Sequence, residues 1–433
     1  MRTIAVITVL MTGTLVSCGA AESTTPVQPA KTKTENPLAG LPSKAEGPHI
    51  DKLKALGDNS WINLGCPAAD PKWGKEGVAR GRAWCSKMAA APDLGGAFFC
   101  GTGVHGAVKS DGRYMDDLWF YDANAHRWIC LYPGANKETK LHLDKHGFEV
   151  DEAGNHVPVS YLSHAYNNTT YNPDLKLYHI MWTQCPWWGN ALPQRWEWLD
   201  VPKEKRTYGN VGPVIPLTRH PLLWDVAKGC WERKFVEGAG PGGRFEGVAE
   251  YIPSLKKTLY THTGKTWLYD YAANAWTEGP KVPAAVAGYD SNGCFDPKRE
   301  RIWVVKGKGF AFYDVKISKW EEIKAEGQPE DLGATNDAQL YFDSANDVLL
   351  WHKSHGPVAV YDPGANKWTD LGNTAPDISG KRTMMKFMVW HGFYSAEHNA
   401  HFFYLAGDSG SGDATMLAYR YKRAKDELSG KGK

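Results

Sequence analysis

The chain has 433 residues, 42% hydrophobic and 23% charged, values that exclude a collagen-like, wholly disordered or polytopic membrane protein. Its 50 Lys and Arg nearly balance 48 Asp and Glu, for a formal net charge of +2, and no segment carries the basic stripe a nucleic-acid binder needs. With 19 Trp and 45 Gly, the composition points to short strands and many turns, an all-β chain.

Residues 1–17 carry one cation, Arg2, then an uncharged apolar stretch too short to span a bilayer as a stable helix, the pattern of a signal peptide. The stretch ends in Leu15-Val16-Ser17-Cys18, which resembles the bacterial lipobox. That resemblance implies cleavage before Cys18, lipidation of its thiol, and a place on the cell envelope, at the outer membrane or facing the periplasm. Residues 18–48 are rich in Pro, Thr, Lys and Ala with few large apolar side chains, and read as a flexible tether. Membrane contact is then expected through the lipid alone.

Seven further cysteines follow, none in a Cys-x-x-Cys pair, so no structural zinc site is suggested. Cys66 and Cys85 are expected to form a disulfide, closing a loop of about 20 residues and contributing about 3 kcal/mol on the chain-entropy model. Small buried thiols are the plainer alternative for several of the seven.

From residue 49 to 422 the chain repeats itself. Five segments place an Asp six residues before a Trp: Asp122 to Trp128, Asp225 to Trp231, Asp270 to Trp276, Asp314 to Trp320 and Asp362 to Trp368. The last three Asp recur at intervals of 44 and 48, whereas Asp122 to Asp225 spans 103 residues, the length of about two units with one insertion or long loop each. A second motif interleaves, an aromatic, a polar turn and an apolar strand, at Tyr171, Tyr251, Phe295, Phe342 and Tyr394, with a weaker copy at Ala90. The unit is a four-stranded antiparallel meander, present six times.

These residues resemble the kelch repeat of β-propellers, although the double glycine after the second strand is reduced to Thr263-Gly264, Lys306-Gly307 or His355-Gly356. The resemblance implies an all-β, six-bladed propeller of four-stranded antiparallel blades. Closure is legible too. The last unit lacks its Trp, while Trp61-Ile62-Asn63-Leu64-Gly65 matches Trp368 to Gly372 and has no partner, so an N-terminal strand should complete the last blade. The motif Trp and Asp themselves read as wedges and turn caps.

Loops joining second to third strands should gather on one face and bring His105, His262, Lys306, His352 and His355 to a common funnel, unless they are solvated turn residues. Two insertions belong to the same set of loops. Residues 132–164 hold His142 and His146, four apart, but read better as a hairpin around Ala153-Gly154 than as a metal site. Residues 185–221 carry Trp187, Trp188, Arg195, Trp196, Trp198, Arg219 and His220, a set suited to stacking on sugar rings and pairing with anionic groups, or to a hydrophobic knot. A charged tail, 423–433, ends the chain.

A monomeric binding protein for a glycan or a protein partner is expected first, with no cofactor, no metal and no nucleic acid. The kelch-like group also implies enzymes as an alternative. A copper oxidase would need a Tyr-Cys crosslink and two His that match nowhere here, whereas a mutarotase or lyase asks only for funnel His, Tyr or Arg. A structural assembly role is the third reading.

Overall fold

Alternating apolar residues between Asp- or Asn-led turns dictate short strands with both faces covered. The structure, a computed structural model, describes residues 36–423 except 83, 101–108, 110–111, 137, 159–164, 182–218, 243–246, 289–290, 334–337, 355–356, 375, 377–389 and 407–413. It forms six four-stranded antiparallel sheets, the expected propeller. With strands lettered A to D from the axis outward, blade 1 runs from Ala89–Ala91 to Arg127–Tyr132, and blade 2 from Thr169–Asn172 to Cys230–Arg233. Blades 3, 4 and 5 have A strands Ala249–Ile252, Asn292–Asp296 and Ala338–Asp343. Blade 6 takes its A to C strands from His391–Ser395, Ala400–Leu405 and Thr415–Arg420. Successive A strands pack side by side around the axis, and the A strand of blade 6 meets that of blade 1.

The D strand of blade 6 is Ser60–Gly65, paired with Trp61 opposite Tyr419, so the N-terminal clasp is real. The 103 residues between Asp122 and Asp225 hold one blade step, because both insertions fall within it, before blade 2 and between its B and C strands.

Each repeated Asp caps the C–D turn, and each Trp stands opposite the residue that precedes the Asp. Asp270 Oδ1 accepts from Ala272 N at 3.0 Å and Ala273 N at 2.9 Å, while Trp276 lies across from Tyr269. Asp362 does the same for Gly364 N and Ala365 N at 2.8 and 3.1 Å, with Trp368 across from Tyr361. The tetrad needs one residue with positive φ, supplied by Asn274 at 49° and Asn366 at 50°. The indoles reach the preceding blade: Trp128 packs on Tyr404 at 4.8 Å, Trp368 on Phe310 at 5.3 Å, and Trp320 Nε1 donates to Thr266 Oγ1 at 2.8 Å. Burying such indoles between sheets supplies much of the inter-blade cohesion.

Two expectations need correction. The stretch expected to be a free tether up to residue 48 is engaged from Asn36 onward. Leu38 is buried against blades 1 and 2, Asn36 Nδ2 donates to Val226 O at 2.7 Å, Ser43 Oγ to Asp122 Oδ1 at 2.8 Å, and Pro48–Ala55 is a short helix. Leu38 and Leu41 supply the apolar surface that the polar composition around them concealed. The Cys66–Cys85 bridge is not formed. Cys85 is fully buried, its Sγ accepting from Ala165 N at 3.0 Å, while Cys66 is exposed after the clasp. The signal stretch, Cys18 and the tail beyond 423 lie outside the described residues.

Candidate functional site

Before its A strand, blade 1 sends residues Trp84 to Met88 across the axis, where they bond all five other blades or their lead-ins. Tyr166 N donates to Trp84 O at 2.8 Å, ahead of blade 2. Lys87 Nζ donates to Ala249 O of blade 3 at 2.7 Å, and Ser86 Oγ to Asn292 Oδ1 of blade 4 at 3.0 Å. Ser86 O accepts from Gln339 Nε2 of blade 5 at 3.3 Å and from Gly392 N of blade 6 at 2.9 Å. Gly392 is required here, since a Cβ on it would lie 2.5 Å from Tyr341 Oη and 2.8 Å from Phe402 O. His391, which opens the A strand of blade 6, clamps the segment: its Nδ1 donates to Cys85 O, and its Nε2 accepts from Arg82 N at 3.1 Å. Burial holds that imidazole neutral by lowering its pKa to about 3, which suits an acceptor at Nε2.

This crossing closes one end of an axial cavity of about 270 Å³. Five A strands contribute the residue just before the motif aromatic, Thr170, Glu250, Cys294, Tyr341 and Phe393, and blade 1 contributes Ala90, which holds the motif position itself. The walls then run out to Pro92, Pro173 and Pro253 in the A–B turns. The cavity therefore faces the A–B turns, at the opposite end from the loops that sequence reading favoured.

Lys87 and Glu250 are the charged side chains of its lining, and they neutralise each other at Nζ to Oε1 2.7 Å. Burial pushes the Glu250 carboxyl above its ordinary range, and the Lys87 ammonium pulls it part of the way back. Burial, reinforced by Glu250 and Asp296, holds the Cys294 thiol protonated, and burial does the same for the Tyr341 hydroxyl. These groups can hydrogen-bond and stack on a ligand.

The residues expected in the funnel part company. His352 lies in the B strand of blade 5, fully buried, and stacks on Trp390 at 5.0 Å beside Trp61 at 5.3 Å, so it packs the seam between blades 5 and 6. His262 ends the B strand of blade 3, buried, with its Nδ1 3.1 Å from Thr263 Oγ1. Lys306 ends the B strand of blade 4 and donates to Ala287 O at 2.6 Å. His220 is buried under Phe235, with ring centroids 5.0 Å apart, and its Nδ1 accepts from Val236 N at 3.0 Å. Burial and the nearby Arg233 and Arg219 lower its pKa to about 4. Arg219 O takes the Trp276 indole N–H at 2.8 Å. None of these five is among the described residues that line the axial cavity. His105, Trp187, Trp188, Arg195, Trp196, Trp198 and His355 lie outside the described residues.

In the first insertion Leu141–Leu143 pairs with Glu149–Asp151, and the chain turns again at Ala153-Gly154 to bridge Val150 to His156, so the hairpin expectation is met. His156 also bridges Trp231, which lays the insertion against the outer strand of blade 2, and His146 stacks on Phe235 at 4.1 Å. No cluster of three metal-ligating side chains occurs among the described residues.

Sequence reasoning missed Lys87 and Glu250. For Glu250, strand alternation holds the signal: if the motif aromatics pack on neighbouring blades, the residues one position earlier face the other way, toward the axis. Tyr171 and Tyr251 do reach the preceding blade, donating to Asp93 Oδ2 at 3.1 Å and Asp174 Oδ2 at 2.6 Å.

No family model matches the chain, and no curated protein matches its sequence. Among solved structures, the chain is similar to an auxiliary nutrient binding protein from Bacteroides thetaiotaomicron, at 10% identity and a TM-score of 0.42, over 78% of this chain and 70% of that one.

Proposed function

We propose that this chain is an exported, lipid-anchored propeller of the kelch-like group that binds a glycan in its axial cavity. One observation carries the reading: a cavity closed at its inner end, self-neutralised in charge and walled by aromatic and proline side chains. Aromatic faces meet the C–H faces of sugar rings, and a few placed polar groups orient them. The lipobox-like LVSC and the apolar run before it support export and attachment at Cys18. The Trp- and Arg-rich insertion 185–221 is a second candidate platform on the same molecule.

A glycan array probed with the full-length protein, followed by titration of each hit against Ala90→Trp, tests the reading. Ala90 is exposed at the cavity wall, so an indole there fills space without removing a contact. Hits should weaken at least tenfold, at an unchanged melting temperature. Equal affinity, with loss instead in Trp187→Ala or Trp196→Ala, would move the site to the insertion. Mass spectrometry of membrane-fraction protein should find lipid on an N-terminal Cys18, and Cys18→Ala should release the protein.

A further inference from the structure

The axial cavity does not end at its A–B turns. An outer chamber of about 310 Å³ follows, sharing Ala90, Pro92, Phe295, Phe342, Phe393 and Tyr394 with the inner one of about 270 Å³. Sites that enclose a small ligand measure roughly 300 to 1,000 Å³, so the inner chamber alone suits one ring and the two in series suit more.

The inner end is shut. Ser86 to Met88 lie across it, fastened to blades 3 to 6, so a polymer cannot thread through and only an end can enter. The inner chamber also has no charge to spare. Lys87 donates hydrogen bonds to Glu250 Oε1 and Ala249 O, both at 2.7 Å, and Asn167, Thr170, Cys294 and Tyr341 add uncharged polar groups to the lining. A carboxylate or ammonium entering there would lose its hydration without gaining a counter-charge. The outer chamber differs in kind. Its rim adds Ser344, Ser395 and Glu397, and its lining has no cation.

We infer that the site recognises the uncharged end of a saccharide chain of at least two units, the terminal ring in the inner chamber and the next ring against the Phe295, Phe342 and Tyr394 rim. The inference rests on the glycan-binding reading above and adds polarity, length and charge to it. The glycosidic oxygen sits where the chambers share their lining, and the remainder of the chain leaves past Ser344 into solvent, where residue 344 is exposed. Binding is therefore end-on, and it gains with the second unit but little with a third.

The experiment is a titration of the full-length protein with neutral hexose and N-acetylhexosamine mono-, di- and trisaccharides, the same disaccharides capped by a uronic or sialic acid, and cyclic oligosaccharides without ends. The disaccharide should bind at least tenfold tighter than its monosaccharide, and the trisaccharide within threefold of the disaccharide. Acid-capped and cyclic forms should bind at least tenfold more weakly. Ser344→Trp, an exposed turn substitution, should reduce the disaccharide to monosaccharide affinity, while Ala90→Trp removes both. Equal binding of capped or cyclic forms, or no gain from the second unit, overturns this inference while leaving the cavity as the glycan site. Absence of binding by every saccharide, or binding untouched by Ala90→Trp, overturns the glycan reading as well.

Discussion

Trp61 faces Tyr419 across the seam that closes the ring, the two sharing one register position with ring centroids 4.9 Å apart. The same indole touches Phe403 at 5.2 Å and, in blade 5, His352 at 5.3 Å, so one side chain ties three strands of blade 6 to its neighbour. Truncating it should cost about 3 kcal/mol or more. Chemical denaturation of Trp61→Ala measures this, with deletion of residues 19–35 as the comparison. Equal midpoints for the two would contradict the clasp as a stabilising element.

Removing Lys87 should strand the Glu250 carboxylate in the cavity. Lys87→Met is expected to lose about 3 to 5 kcal/mol at pH 7, as for other broken buried pairs, and Lys87→Met/Glu250→Leu to recover most of it. The sign with pH follows from the upward shift of Glu250. Its protonated form is the one burial favours, so the penalty of the single variant is largest above the raised pKa and shrinks as pH falls through it. A penalty that grows on acidification would contradict this account.

The wild-type protein should weaken in acid. Burial lowers the imidazoles of His126 and His220 to about 4 and of His179 and His391 to about 3, below the ordinary 6.5. Between those values and 6.5 the unfolded chain binds protons that the native one refuses, so stability is full above 6.5 and declines as pH falls. Asp117 and Asp343, held low by Arg82 and by His401 despite their burial, add a loss in the same direction at still lower pH. Urea titrations at pH 7.5, 5.5 and 4.5 should give steadily falling stabilities. Constant values across that range would show these histidines to be solvated.

Cys66→Ala should change stability by less than about 0.5 kcal/mol, the usual range for an exposed substitution, whereas a bridge to Cys85 would have contributed about 3 kcal/mol. Cys85, its thiol pushed up to about 12 by burial, should resist alkylation until the protein unfolds. Rapid native-state labelling of Cys85, followed by peptide mapping, would argue against the packing around Ala165.

The ring architecture was open to sequence reading because its causes are local. A Trp six residues after an Asp is a four-residue turn with a capped start and a fixed cross-strand partner, and five copies in register leave few other folds. The clasp was legible for the same reason, as a strand whose Trp lacked its hairpin. The site was not. Lys87 meets Glu250 across 163 residues of chain, and although alternation with Tyr251 points Glu250 to the axis, nothing around Lys87 marks the encounter. His262 and His352 misled because turn-adjacent histidines resemble loop histidines in sequence, yet His262 is the last and His352 the last but one residue of a B strand, and both are buried. The Cys66–Cys85 expectation failed because sequence separation does not show that one thiol is buried against Ala165 and the other exposed.

The segment from Trp84 to Met88 acts as an axle pin, and it sets the order of assembly. Its bonds reach blades near residues 166, 249, 292, 339 and 392, and the clasp just upstream waits for residues 416 to 420. Early residues thus hold places that only late residues can complete, so the native ring cannot exist on a chain still lacking its last strand. Long-range closure of this kind slows folding, and blades made first must wait with an open edge beside them. A chain cut short before Tyr419 is therefore expected to persist as a partly sealed arc, the species on which a quality-control protease would act.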